Sequence, residues 1–159
     1  MKIFLICFIS LLSFNSTAQY HLKFNIHGLK DTTIFLARYF GDRLLYADTS
    51  ESINGKVEFK KDNYKEGVYA LVCPGPKWFE FIMADKQIEM ETSINSFIPS
   101  MKVKKSDENK LFYDYIQFIN IKKKEAEKFK DSGENDELAK LDKQVKDYQK
   151  KIVTENSSK

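Results

Sequence analysis

The chain has 159 residues, 42% of them hydrophobic and 31% charged, with 26 basic against 23 acidic side chains. This near balance excludes nucleic acid as an expected partner, because phosphate recognition needs clustered Lys and Arg interleaved with aromatics. The length allows one modest core with at most a satellite.

The chain opens MKIFLICFISLLSFNSTAQ. Lys2 supplies a positive start, Ile3 to Leu12 is almost unbroken apolar, and Ser16-Thr17-Ala18 places small residues where a signal peptidase cuts, so residues 1–18 read as a secretory signal peptide. Ser13, Asn15 and Ser16 break the run short of the roughly 20 apolar residues of a membrane span, and no transmembrane segment is expected in the mature chain. Cys7 lacks the small residues that precede a lipoprotein cleavage site. Cleavage after Ala18 removes 18 of 159 residues and leaves 141, with Lys2 the only charge lost. It also removes Cys7, so Cys73 stands without an intramolecular partner in a disulfide-permissive setting.

From Gln19 to about Pro99 the pattern has period two. In YHLKFNIH, Leu22, Phe24 and Ile26 share one face while His21, Lys23, Asn25 and His27 share the other, a half-buried strand. After a turn at Gly28-Leu29-Lys30-Asp31, TIFLARYF is apolar on both faces, as an inner strand is. Gly41-Asp42-Arg43 breaks the pattern, and LLYADTSESI then runs through Asn54-Gly55 into KVEFK. Asn-Gly predicts a type I′ hairpin, which needs positive φ at both central residues. Further strands are predicted around Val68–Val72 and Trp78–Ala84, and QIEMETS closes the set with Ile88 and Met90 on one side. About seven short strands with closely spaced turns predict a mainly β domain over 19–99, an antiparallel β-sandwich or open barrel.

After Pro99 the composition becomes helical. Residues 100–159 carry 15 basic and 12 acidic side chains, no proline and one glycine. Ser106-Asp107-Glu108-Asn109 offers N-caps and early negative charge, and Phe112, Tyr115, Ile116 and Ile119 fall on one helical face. Asp131 to Asn135 interrupts the pattern. Leu138, Leu141, Val145, Tyr148 and Ile152 then make a narrow seam, so a C-terminal helical hairpin is expected, its second helix leaning on the first or on another segment.

The order Gly28-Leu29-Lys30-Asp31, Ile34-Phe35-Leu36, Asp48-Thr49, Asn54-Gly55-Lys56-Val57-Glu58-Phe59 and Gly67-Val68-Tyr69 resembles a known module. It is similar to the N-terminal β-rich domain of unknown function that precedes the thioredoxin-like domain in secreted thiol:disulfide interchange proteins (AhpC/TSA-type, thioredoxin-like) of Gram-negative bacteria. Ser106 to Asn109 with Phe112 and Tyr115 resembles that family's helical connector. The resemblance implies a periplasmic or envelope location and a thioredoxin-like domain as partner. It also implies a Cys-x-x-Cys pair, which is not found in this sequence, so the redox catalyst of the family is not expected in this chain.

Cys73 is the candidate free thiol; it closes a predicted strand ahead of Pro74-Gly75-Pro76, and a dithiol mechanism needs a second thiol. His21 and His27 lie about 20 Å apart along one strand, too far to share a metal. Asp48-Thr49 has no histidine beside it and reads as a hydrogen-bonding pair at a strand end. Trp78 falls on the face opposite Phe79 and Phe81 and is the candidate ligand contact. Lys122-Lys123-Lys124 is a solvated helix face interrupted by Glu125 and Glu127, and Asn156-Ser157-Ser158 satisfies a glycosylation sequon. No catalytic constellation, metal set or cofactor motif is present. The expectation is an exported, non-catalytic accessory module that docks a protein partner through its sheet surface and helices. The alternative is an envelope β-sandwich that binds a glycan or another small ligand.

Overall fold

The computed structural model describes residues 19–156. The expected signal peptide with Cys7, and Ser157-Ser158 of the sequon, lie outside the described residues.

Eight strands and three helices follow in order: β1 (Tyr20–His27), β2 (Thr32–Phe40), β3 (Arg43–Ser52), β4 (Lys56–Lys61), β5 (Gly67–Cys73), β6 (Lys77–Met83), β7 (Gln87–Ser93), α1 (Phe97–Ser100), β8 (Lys102–Lys105), α2 (Asp107–Ser132) and α3 (Asn135–Asn156). The strands form two four-stranded sheets, ordered β4-β1-β7-β8 and β3-β2-β5-β6. The domain is a mainly β sandwich followed by a helical pair, and among the described residues no barrel closes. The expected antiparallel character needs one correction: β1 and β7 run parallel, Leu22 opposite Ile88 and Phe24 opposite Met90. Alternation fixes which side chains face inward but not the direction of the neighbouring strand.

The inward positions pack into one aromatic core. Phe24 meets Phe59, Phe79 and Phe81 at centroid separations of 6.4, 5.8 and 5.2 Å. Leu22, Ile26, Ile34, Leu36, Leu71 and Met83 are fully buried around them. Interdigitated aromatics and branched aliphatics hold the sheets together, since a buried side chain of this size stabilises by about 1.5–3 kcal/mol.

The Asn54-Gly55 turn has the expected conformation, with φ of 53° and 77°, and Ile53 and Lys56 exchange both backbone hydrogen bonds at 3.0 Å. Its strands enter different sheets, so the turn is the corner where the chain crosses the sandwich. A Cβ on Gly55 would stand 2.5 Å from the Ile26 carbonyl oxygen.

The change of composition at Pro99 does not mark the end of the sheets. Lys102–Lys105 adds β8 beside β7, because three lysines around Val103 suit a short solvated edge strand as well as a helix. Beyond it Ser106 caps α2, its Oγ accepting from the Asn109 amide at 3.1 Å. Gly133, φ 74°, ends the helix in the left-handed conformation. The predicted seam of α3 packs back on α2: Leu141 is buried, Tyr148 lies 4.1 Å from the Phe118 ring, and Gln149 donates to the Tyr115 hydroxyl at 2.9 Å.

Candidate docking face

The two outer faces of the sandwich differ in chemistry because the outward positions of their strands differ. On the first sheet β1 presents His21, Lys23, Asn25 and His27, β4 presents Lys56, Glu58 and Lys60, and β7 presents Gln87, Glu89 and Glu91. These side chains neutralise one another. Glu58 takes His21 at 3.2 Å and Lys60 at 3.4 Å, while Glu91 takes His27 at 3.1 Å and Lys104 at 3.4 Å. The His21 hydrogen bond holds Glu58 below the usual carboxylate range, and the His27 hydrogen bond does the same for Glu91. The two histidines serve separate glutamates, and no group of three or more His, Cys, Asp or Glu among the described residues is placed to hold a metal.

The second sheet presents another surface. Thr49, Phe35, Val72 and Trp78 stand in one row across its four strands, and Tyr46, Ala37, Ala70 and Glu80 in the next. Leu44 opposite Tyr39 and Val68 opposite Ile82 extend it. Phe35 is 47% exposed, Leu44 44%, Tyr46 67%, Val68 41% and Trp78 51%. No lysine or arginine occupies these positions. The Tyr39 hydroxyl donates to Glu80 at 2.6 Å across β5, where buried Ala70 leaves room, and this bond to a carboxylate raises the Tyr39 pKa. Contiguous exposed apolar patches of this kind are uncommon on the surfaces of monomeric proteins.

The free edge of β6 borders this face, and α2 seals it. Asn109, wholly buried, accepts from the Ile82 N–H and donates to the Ile82 C=O, both at 2.7 Å, so one amide side chain takes the place of a neighbouring strand. One turn on, the Tyr113 hydroxyl donates to the Glu80 carbonyl at 2.6 Å, and burial pushes its pKa up. Gln117 holds the Ile98 and Met101 carbonyls, each at 2.9 Å. The first three turns of α2 are therefore part of the sandwich.

The other sequence-predicted residues are placed as follows. Trp78 lies at one end of the apolar face and lines a groove of about 330 Å³ with Pro76, Lys77, Ile94, Asn95, Ser96 and Phe97. Cys73 points into the core, 4% exposed, and burial pushes its thiol up to about 11 against the smaller opposing effect of Lys77. It shares no surface with Trp78. Asp48 lies inside β3, not at its end, beside a bulge opposite Leu36 and Ala37. It accepts from the Tyr64 hydroxyl at 2.6 Å and meets Lys61 at 3.8 Å, and it clamps the β4–β5 loop over the core, where Tyr64 packs on Tyr20 and Tyr69. Lys122 folds onto Glu125 at 2.8 Å.

A family model, the domain of unknown function DUF4369, matches residues 20–112. The chain belongs to the DUF4369 family. The match runs from the first residue of β1 into the second turn of α2, so the DUF4369 unit contains both sheets, Trp78 and the edge-sealing Asn109. No curated protein and no solved structure matches the chain. Phe35, Leu44, Tyr46 and Val68 of this DUF4369 domain were not singled out from the sequence. The signal for them was there in apolar residues at outward positions of consecutive strands, which also occurs in strands buried on both faces.

Proposed function

We propose that this chain is an exported, non-catalytic docking module whose outer face on the second sheet seats a thioredoxin-like domain. The observation that carries the reading is the contrast between the two outer faces, one self-neutralised by paired charges and the other an apolar field from Tyr46 to Trp78. Interface centres are depleted in charge and enriched in Tyr, Trp and Phe, as this face is. The burial of Cys73 supports a role without thiol exchange, since a thiol raised to about 11 carries little thiolate near neutral pH. The signal-like segment at residues 1–18 supports export, and no described helix is long and apolar enough to cross a membrane.

The test is a titration of isotope-labelled protein with a thioredoxin-like domain from the same organism's exported thiol:disulfide interchange proteins. Shifts are expected at Phe35, Val72 and Trp78 and are expected to vanish in Phe35→Ser/Trp78→Ala. Shifts confined to the charged sheet, or none at all, sink the reading. Insulin reduction by this chain alone is expected to stay at the buffer rate.

One observation favours a second reading, a glycan-binding envelope sandwich. The half-exposed Trp78 indole borders a groove with Asn95 and Ser96, an aromatic plane beside hydrogen-bonding groups of the kind that stack on sugar rings. A glycan array with Trp78→Ala as control separates the two readings.

A further inference from the structure

A sandwich of two sheets has four edges, and three of the four here are blunted. On the first sheet, β4 reads KVEFKK and β8 reads KVKK, so lysines line both edges. On the second sheet β6 is sealed by Asn109 and Tyr113. Charges and covering elements are the usual protection against strand-to-strand association. The remaining edge, β3, is treated differently along its length. Its far half is tied to β4, Ser50 donating to the Glu58 carbonyl at 2.7 Å. Its near half, Arg43–Tyr46, pairs only with β2, and the run Leu44-Leu45-Tyr46 carries no charge.

At this end of the β2–β3 hairpin the inner side of the sheet is also left exposed. Phe40 and Leu45 occupy inward-facing register positions, yet they are 66% and 48% exposed, while Leu44 and Tyr46 are exposed on the other side. The hairpin thus shows apolar side chains on both faces around an unpaired backbone edge.

We propose that this edge pairs with the same edge of a second copy of the chain, antiparallel across a two-fold axis at Leu45, to make one continuous eight-stranded sheet. A symmetric antiparallel pair must be centred on a residue for matching faces to meet. Centring on Leu45 sets Leu45 against Leu45 on one side and Leu44 against Tyr46 on the other, in both directions. Moving the centre to Leu44 sets Leu45 against Arg43, and moving it to Tyr46 sets Leu44 against Asp48. The exposed parts of Phe40, Leu44, Leu45 and Tyr46 amount to about 450 Å² per copy. Two copies therefore cover about 900 Å² before backbone and Arg43 are added, near the ~1,200 Å² at which specific interfaces begin. An interface below the standard size fits a weak, reversible dimer.

Sedimentation equilibrium of the purified protein from about 1 to 500 μM, the range in which a weak dimer becomes populated, tests the pairing. The average mass is expected to climb from one chain toward two, with protection rising in step only at those amides of Leu44–Tyr46 that point away from β2. Leu45→Lys and Tyr46→Lys, both at exposed positions, are each expected to hold the protein at the monomer mass with an unchanged thermal transition. A single-chain mass over the whole range overturns the proposal, and so does a dimer that survives both substitutions. The result is distinguishable from failure of the docking reading through Leu45→Lys, because Leu45 sits at an inward-facing register position outside the docking face, whereas Tyr46 belongs to both surfaces and Trp78 lies on β6 at the opposite edge.

Discussion

Replacing Asn109 with alanine probes how the helices and the sandwich are joined. The side chain satisfies two backbone groups of an edge strand at once, the Ile82 N–H and C=O, and also donates to the Ser106 hydroxyl at 2.8 Å. Asn109→Ala leaves both Ile82 groups facing the buried space of the missing amide. Each unsatisfied buried group costs about 1–3 kcal/mol, and fraying of the first turn of α2 to admit water recovers part of that. The expected loss is about 2–4 kcal/mol out of the ~5–15 kcal/mol available to a domain, a fall of about 1–2 M in the urea midpoint. Asn109→Asp is expected to lose at least as much at neutral pH, because a carboxylate keeps the acceptor for the N–H but points negative charge at the Ile82 carbonyl. Urea unfolding followed by Trp78 fluorescence and far-ultraviolet dichroism gives the magnitude, and hydrogen exchange at Ile82 gives the location. A change below about 0.5 kcal/mol with the Ile82 amide as protected as before would refute the strand-mimic argument.

Gly55→Ala puts a Cβ 2.5 Å from the Ile26 carbonyl at a φ of 77°, and it is expected to destabilise by about 1–3 kcal/mol in thermal or urea unfolding. Cys73 is expected to resist a thiol reagent in the folded protein at pH 6–8 and to react fully once urea unfolds the core, because its thiol is buried and raised to about 11; rapid native-state labelling at pH 6 would contradict its placement. Glu58 and Glu91 have lowered pKa values when folded, so their contribution is present above the ordinary carboxylate range and lost as the pH falls through the lowered values. Unfolding curves from pH 7 to pH 3 are expected to be flatter for Glu58→Gln/Glu91→Gln than for the parent.

The strands β1 to β7 were legible because glycine and asparagine turns separate runs of strict alternation, and the Asn54-Gly55 turn was legible down to its φ signs. The eighth strand was hidden by its own chemistry, since four residues with three lysines carry no period. Strand direction was hidden as well: nothing in YHLKFNIH or QIEMETS says that they run parallel. Asn109 was legible only as one of four capping choices for α2, and its bond to Ile82 joins residues 27 positions apart, beyond any local pattern. Alternation alone sets Trp78 opposite Phe79 and Phe81, and Trp78 is exposed while both phenylalanines are buried. TIFLARYF has the pattern of an inner strand, and β2 does lie between β3 and β5, but its second apolar face meets solvent. Sequence records that a face is apolar, and only the tertiary structure says whether anything covers it.

That last point bears on what the outer faces are for. β1 and β7 bury Leu22, Phe24, Ile26, Ile88 and Met90 while turning His, Lys, Asn, Gln and Glu outward, so a strand in this sandwich can fill its share of the core without an apolar outer face. β2, β3, β5 and β6 fill theirs with Leu36, Ala47, Leu71 and Phe81 among others, and nothing in the core constrains their outward side chains. Lysine or glutamate at Phe35, Tyr46, Val68 or Trp78 would leave the inner packing intact and the surface better solvated. Folding therefore does not account for the apolar outer field, nor for the uncharged Leu44-Leu45-Tyr46 run on the β3 edge of a molecule that blunts its other three edges. The two proposed contacts would account for both through two kinds of complementarity: backbone pairing at Leu45, and side-chain packing between Phe35 and Trp78.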